Sequence, residues 1–134
     1  MLKIIIALVL LSHGIGHSMG LLQVFKIATV SPQWKGDSWL LTGSAGLAVS
    51  QILAVSLWIL AIVGFAALAA VVVGWLPEAW WVPLAIGASA VSLAGLFLFP
   101  VAFPLFSTVG AFAVNAAVLV AVLWFQWVPS DLAA

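Results

Sequence analysis

Four apolar runs joined by short turns predict an all-α polytopic membrane protein: an antiparallel bundle of four transmembrane helices, one membrane domain over residues 1–134. Hydrophobic residues make up 67% of the chain and charged residues 4%, where a soluble domain has about a quarter charged. Each run has roughly the 20 residues that an α-helix rising ~1.5 Å per residue needs to cross a ~30 Å hydrocarbon core. Turn residues punctuate the runs, with Gly74 and Pro77 after the second and Pro100 and Pro104 after the third.

The first crossing is expected at about residues 2–25. Lys3, the apolar stretch 4–11 and the small residues Ser12 and Gly14 imitate a secretory signal, but apolar character runs on through Leu21, Leu22, Val24 and Phe25. A membrane helix is therefore the expectation. The stretch 25–40, with Lys26, Pro32, Lys35, Gly36 and Asp37, is the longest loop. Residues 40–76 are apolar again, but a straight helix of that length would reach roughly 55 Å, beyond one crossing. Gly43, Ser44, Gly46 and Ser50 weaken its beginning, so 39–49 reads as an interfacial or re-entrant segment and the second crossing as about 50–74. The third crossing is expected at about 80–99 and the fourth at about 105–127, with a short polar tail from Ser130 to Ala134.

Trp favours the headgroup level, where its ring is apolar and its N–H meets water. Trp75, Trp80, Trp81, Trp124 and Trp127 fall on the side of the termini, and Trp34 and Trp39 mark the opposite side. Lys26 and Lys35 in the first loop, against Lys3 and the amino terminus, lean towards a cytoplasmic first loop by one residue or none.

The charge pattern excludes function classes. With a formal net charge of zero and three scattered Lys residues, no basic surface exists to displace counterions, so nucleic-acid binding is not expected. Cys is absent, which removes thiolate metal sites and paired-thiol chemistry. The expected surroundings are the lipid bilayer and a second copy or another membrane protein.

His13, Gly14, Ile15, Gly16 and His17 lie near the middle of the first crossing. Imidazoles at membrane depth are costly to place and mark a candidate site. At 100° per residue, His13, Gly16, His17, Gly20 and Val24 share one arc, where the first helix is expected to meet the bundle. Gly16 and Gly20 form a Gly-x-x-x-Gly pair that permits close helix approach. Small residues recur on the third crossing (Ala85, Ala88, Ser89, Ser92, Gly95) and the fourth (Gly110, Ala113, Ala117). Thr108 and Asn115, on a polar face of the fourth, are expected to answer the histidines.

Several chemistries leave the same trace. The pair can be structural, hydrogen-bonded to Ser, Asn or a backbone carbonyl. A metal site within one chain is not expected, because Asp37, Glu78 and Asp131 sit in loops or the tail. Haem or chlorin ligation by one His stays open, but two His on one helix face cannot clamp a haem from both sides. Proton-coupled transport and Ser-His hydrolysis both lack an intramembrane carboxylate. Catalysis is not the expectation. The leading reading is a non-enzymatic binding or accessory subunit. The alternatives are a redox or cofactor-binding protein of haem or quinone type using His13 or His17, and a small oligomeric permease; no cofactor is required.

The stretch 11–26, L-S-H-G-I-G-H-S-M-G-L-L-Q-V-F-K, resembles the opening of small uncharacterised bacterial four-helix membrane proteins with a His-Gly-x-x-His segment, and 99–115 resembles their final crossing. The architecture is also similar to DoxX-like proteins, in topology alone. The resemblance implies a multi-pass protein of a bacterial inner membrane and carries no activity with it.

Overall fold

The computed structural model describes residues 1–132, and among them every regular element is helical. Ala133 and Ala134, the end of the expected polar tail, lie outside the described residues. The elements are α1 (Leu2–Gly16), α2 (Ser18–Val24), α3 (Thr42–Ala45), α4 (Leu47–Val72), α5 (Trp81–Leu98) and α6 (Leu105–Leu123), with 3₁₀ turns at Glu78–Trp80 and Pro129–Leu132. Four spans are long and apolar enough to cross a membrane: Leu2–Val24, Leu47–Val72, Glu78–Leu98 and Leu105–Leu123. Ile52, Val63, Leu105 and Phe106 present large apolar side chains outward, as a lipid-facing surface requires.

Glycine chemistry sets the ends of the second crossing. Gly46, at φ +87°, takes a conformation other residues adopt only with strain, and it separates α3 from α4. Ser50 donates to the Gly46 carbonyl at 3.0 Å, while Thr42 Oγ1 and Ser50 Oγ lie 2.9 Å apart across the break. The crossing therefore starts at Leu47 rather than near 50, and the expected interfacial segment shrinks to the one-turn α3 and its flanks. At the other end Gly74, at φ +82°, closes the helix while the Trp75 N–H returns to the Ala70 carbonyl at 2.8 Å. The fourth crossing is shorter than expected, ending at Leu123 instead of about 127.

The crossings are arranged in an arc that follows chain order: α1 and α2 pack on α4, α4 on α5, and α5 on α6. The second crossing is the centre of the bundle, with Ala54, Trp58, Ala61, Phe65 and Leu68 fully buried at alternating four- and three-residue intervals. Close approach is possible where glycine meets a bulky or backbone neighbour. A Cβ at Gly20 would fall 2.7 Å from the Trp58 ring, one at Gly14 3.0 Å from Phe65 Cβ, and one at Gly64 2.7 Å from Ala88 Cβ. Without a hydrophobic drive between helices in lipid, such contacts supply the packing.

Two tryptophans depart from the headgroup expectation. Trp34 is buried, with its ring 5.4 Å from Trp58 and 6.2 Å from Phe99, and its Nε1 donates to the Asp37 carbonyl at 2.8 Å. Trp81 is also buried and donates to the Trp127 carbonyl at 2.8 Å. In both cases a backbone carbonyl satisfies the indole N–H, so the ring can leave water. Trp75 and Trp124 remain exposed at the terminal side, and Trp39 at the opposite side.

The long loop is tied down by one side chain. Gln23, at the end of α2, accepts at Oε1 from the backbone N–H groups of Val30 (3.1 Å) and Ser31 (2.7 Å), and its Nε2 donates to the carbonyls of Ser31 and Trp34 (3.0 Å for the latter). All four amide hydrogen-bonding positions are thereby used.

Candidate functional site

The helix carrying both histidines changes pitch where they occur. His17 closes α1 through a short i to i−3 bond, its N–H meeting the Gly14 carbonyl at 3.1 Å, and Gly20 N–H meets the His17 carbonyl at 3.2 Å before α2 continues. A tight turn within a membrane helix commonly marks a functional hinge or a strained sequence, and three glycines within 14–20 permit it here.

The face of this helix that meets α4 carries Ala7, Leu10, Gly14, His17 and Gly20. It is rotated by roughly a sixth of a turn, about 60°, from the arc expected from the sequence, at 100° per residue. His17 stays inside, 3% exposed, whereas His13 moves to the edge of the contact. Gly16 is a correction: a Cβ there would meet nothing within 4 Å, so it is not at a helix contact within the chain, and Gly14 takes that part.

Three crossings converge on Ser92 of α5. Its Oγ lies 3.0 Å from His17 Nε2 and 3.4 Å from His13 Nε2, and it accepts from Asn115 Nδ2 at 2.9 Å. Asn115 Nδ2 also donates to the Ala111 carbonyl at 2.9 Å, which uses its second hydrogen, and lies 3.4 Å from His13 Nε2. The imidazoles stand edge to face, 5.2 Å apart, between Phe65 on one side and Phe103 on the other. Of the expected partners Asn115 is therefore present, and Thr108 is not. Thr108 lies two turns away and donates instead to the Pro104 carbonyl at 3.2 Å. Ser92 was legible only as a small packing residue; its spacing with Ser89 on an inward face was the available signal.

Hydrogen positions follow from this network. His17 Nδ1 is sealed and has no partner. A buried N–H without an acceptor is rarer than a bare acceptor, so His17 carries its proton on Nε2 and donates to Ser92. Asn115 and His17 then fill both lone pairs of the Ser92 oxygen, and the Ser92 hydroxyl hydrogen goes to His13 Nε2. His13 is left with its proton on Nδ1, an atom that makes no hydrogen bond among the described residues and, unlike His17 Nδ1, is not sealed by protein. Among the described residues no three His, Cys, Asp or Glu side chains are grouped to hold a metal. An iron bound through Nε2 of either histidine would have to displace Ser92.

His13 opens onto a groove. The arc of crossings does not close tightly between its ends, and the seam between α1 and α6 holds a hollow of about 610 Å³ whose walls include Ser12, His13, Gly16, Ser107, Gly110 and Val114. A second hollow of about 480 Å³, sharing Ile5, Val9 and Val114 with the first, continues it past Ala117 to Trp127. Gly110, like Gly16, has open space where a Cβ would be.

No family model, curated protein or solved structure matches this chain. The fold and site define a small four-helix membrane-type bundle with a polar quartet on a lateral groove.

Proposed function

We propose that this chain is a non-enzymatic binding protein of the membrane that takes a lipid-soluble ligand into the groove between its first and last crossings. The observation that supports this reading is the unsealed His13 Nδ1, fixed as a donor by the quartet and standing on the wall of a lateral opening. The quartet orients a hydrogen-bonding group, and the carboxylates among the described residues belong to the loops and tail. Permease and haem-binding roles draw no comparable support from the arrangement.

The test is co-purification. The protein is extracted from the membranes in which it was expressed with a mild detergent, and small molecules released by organic solvent are quantified per chain by mass spectrometry. One compound is expected near one per chain, and is expected to fall sharply in His13→Phe while Val63→Ala, on the lipid-facing side of α4, leaves it unchanged. Identical extracts from the parent and His13→Phe would overturn the reading.

A further inference from the structure

We infer that the ligand is an uncharged single-tailed lipid whose head carries a carbonyl oxygen, held head-inward with its tail pointing towards the terminal side of the membrane. This rests on the reading of the quartet and groove as a ligand site.

The head chemistry follows from which polar groups are left without partners. Two hydroxyls elsewhere on the helices bond to their own backbone: Ser56 donates to the Ile52 carbonyl at 2.8 Å and Thr108 to Pro104. Ser12 and Ser107, on the two facing walls of the groove, make no side-chain hydrogen bond among the described residues, although Ser107 adjoins Thr108. His13, beside Ser12, adds the Nδ1 donor. Unpaired polar atoms in hydrocarbon are costly, so convergence of several on one hollow calls for a polar guest. A carbonyl oxygen has two lone pairs and accepts from His13 and from Ser12. A phosphate or other charged head does not suit the site, because its level is that of Asn115, in the middle of Leu105–Leu123, and no cation is there to pair with it.

The tail follows from the shape. From Ser107 to Ala121 the groove follows α6 for about 21 Å at ~1.5 Å per residue, longer than the ~15 Å half-thickness of the hydrocarbon core. Beyond Ser12 its walls include Ile5, Val9, Val114 and Ala117, which offer dispersion contact and no side-chain donor, and at the far end Trp127 and Trp81, whose indole N–H is already given to the Trp127 carbonyl.

A long-chain methyl ketone bearing a mid-chain diazirine is the probe, with the intact protein in phosphatidylcholine nanodiscs. Photolabelling is expected to saturate at one probe per chain and to fall on 5–16 and 107–121. Gly110→Leu, which fills the groove where a Cβ meets open space, should abolish it with the bundle intact by circular dichroism. His13→Phe should weaken half-saturation about tenfold, as the loss of one hydrogen bond of ~1.4 kcal/mol would. Competition by a decyl-tailed benzoquinone or by methyl palmitate tells whether the natural carbonyl is a quinone or an ester. Competition by hexadecane equal to that of the ketone, or label spread evenly over Ile52 and Val63, would overturn the inference. If one compound of another class co-purifies and depends on His13, the binding reading stands and this assignment of the head fails.

Discussion

Trp58 occupies the space that any side chain at position 20 would need: a Cβ on Gly20 would lie 2.7 Å from both Cε3 and Cζ3 of the indole. The fully buried ring is in turn surrounded by Trp34, Phe99 and Phe103 at centroid distances of 5.4, 5.8 and 5.4 Å, so it has little room to retreat. Gly20→Ala is expected to destabilise the bundle by about 1–3 kcal/mol, the usual range for overpacking, whereas Gly16→Ala should stay within about 0.5 kcal/mol of the parent. Unfolding midpoints in a single detergent compare the two. Equal losses would show that the two glycines share one environment, contrary to the contacts found.

Ser92→Ala and Asn115→Leu should each cost roughly 1 kcal/mol, in keeping with hydrogen bonds between membrane helices. Their effects should not add, because both remove the 2.9 Å bond between the same two side chains. A double-mutant cycle measures the coupling. Strict additivity would mean that the two residues act separately.

His17 and His13 should differ in what their loss does. His17→Phe removes a buried donor to Ser92 and is expected to lower the unfolding midpoint more than His13→Phe, whose ring stands at the groove. The reverse order in a thermal melt would contradict the assignment of His17 to the interior and His13 to the opening.

Gln23→Leu should release the loop without disturbing the crossings. Four backbone groups of residues 30–34 lose their partner at once, and Lys26 and Lys35 lie in or beside the freed stretch. Trypsin cleavage at these lysines is expected to accelerate several-fold, with helix content by circular dichroism unchanged. A cleavage rate equal to the parent's would show that the loop is held by other means.

How much was legible beforehand differs between levels. Hydropathy and turn residues located the four long apolar helices to within a few residues, since lipid leaves little choice of structure for long apolar runs. The histidines and Asn115 were legible as costly polar groups on expected helices. The rotation of the first helix was not, because Gly14, Gly16 and Gly20 are equivalent in sequence and only the position of Trp58 and Phe65 decides which of them is pressed. Ser92 escaped notice for a related reason: a serine among alanines and glycines reads as a small residue until three donors and acceptors meet at its oxygen. The burial of Trp34 depended on a backbone carbonyl at Asp37, which composition cannot reveal.

The arc of packing in chain order has a consequence for how the protein is made. Each crossing after the first leaves the ribosome with a principal neighbour already synthesised, so docking can proceed stepwise. The Ser92 junction spans the arc, and its final participant, Asn115, is carried by the last of the four long helices to be produced. A nascent chain halted before residue 105 would hold both imidazoles and Ser92 without the amide that completes them, so the junction gains its last hydrogen bond only when the final long helix docks.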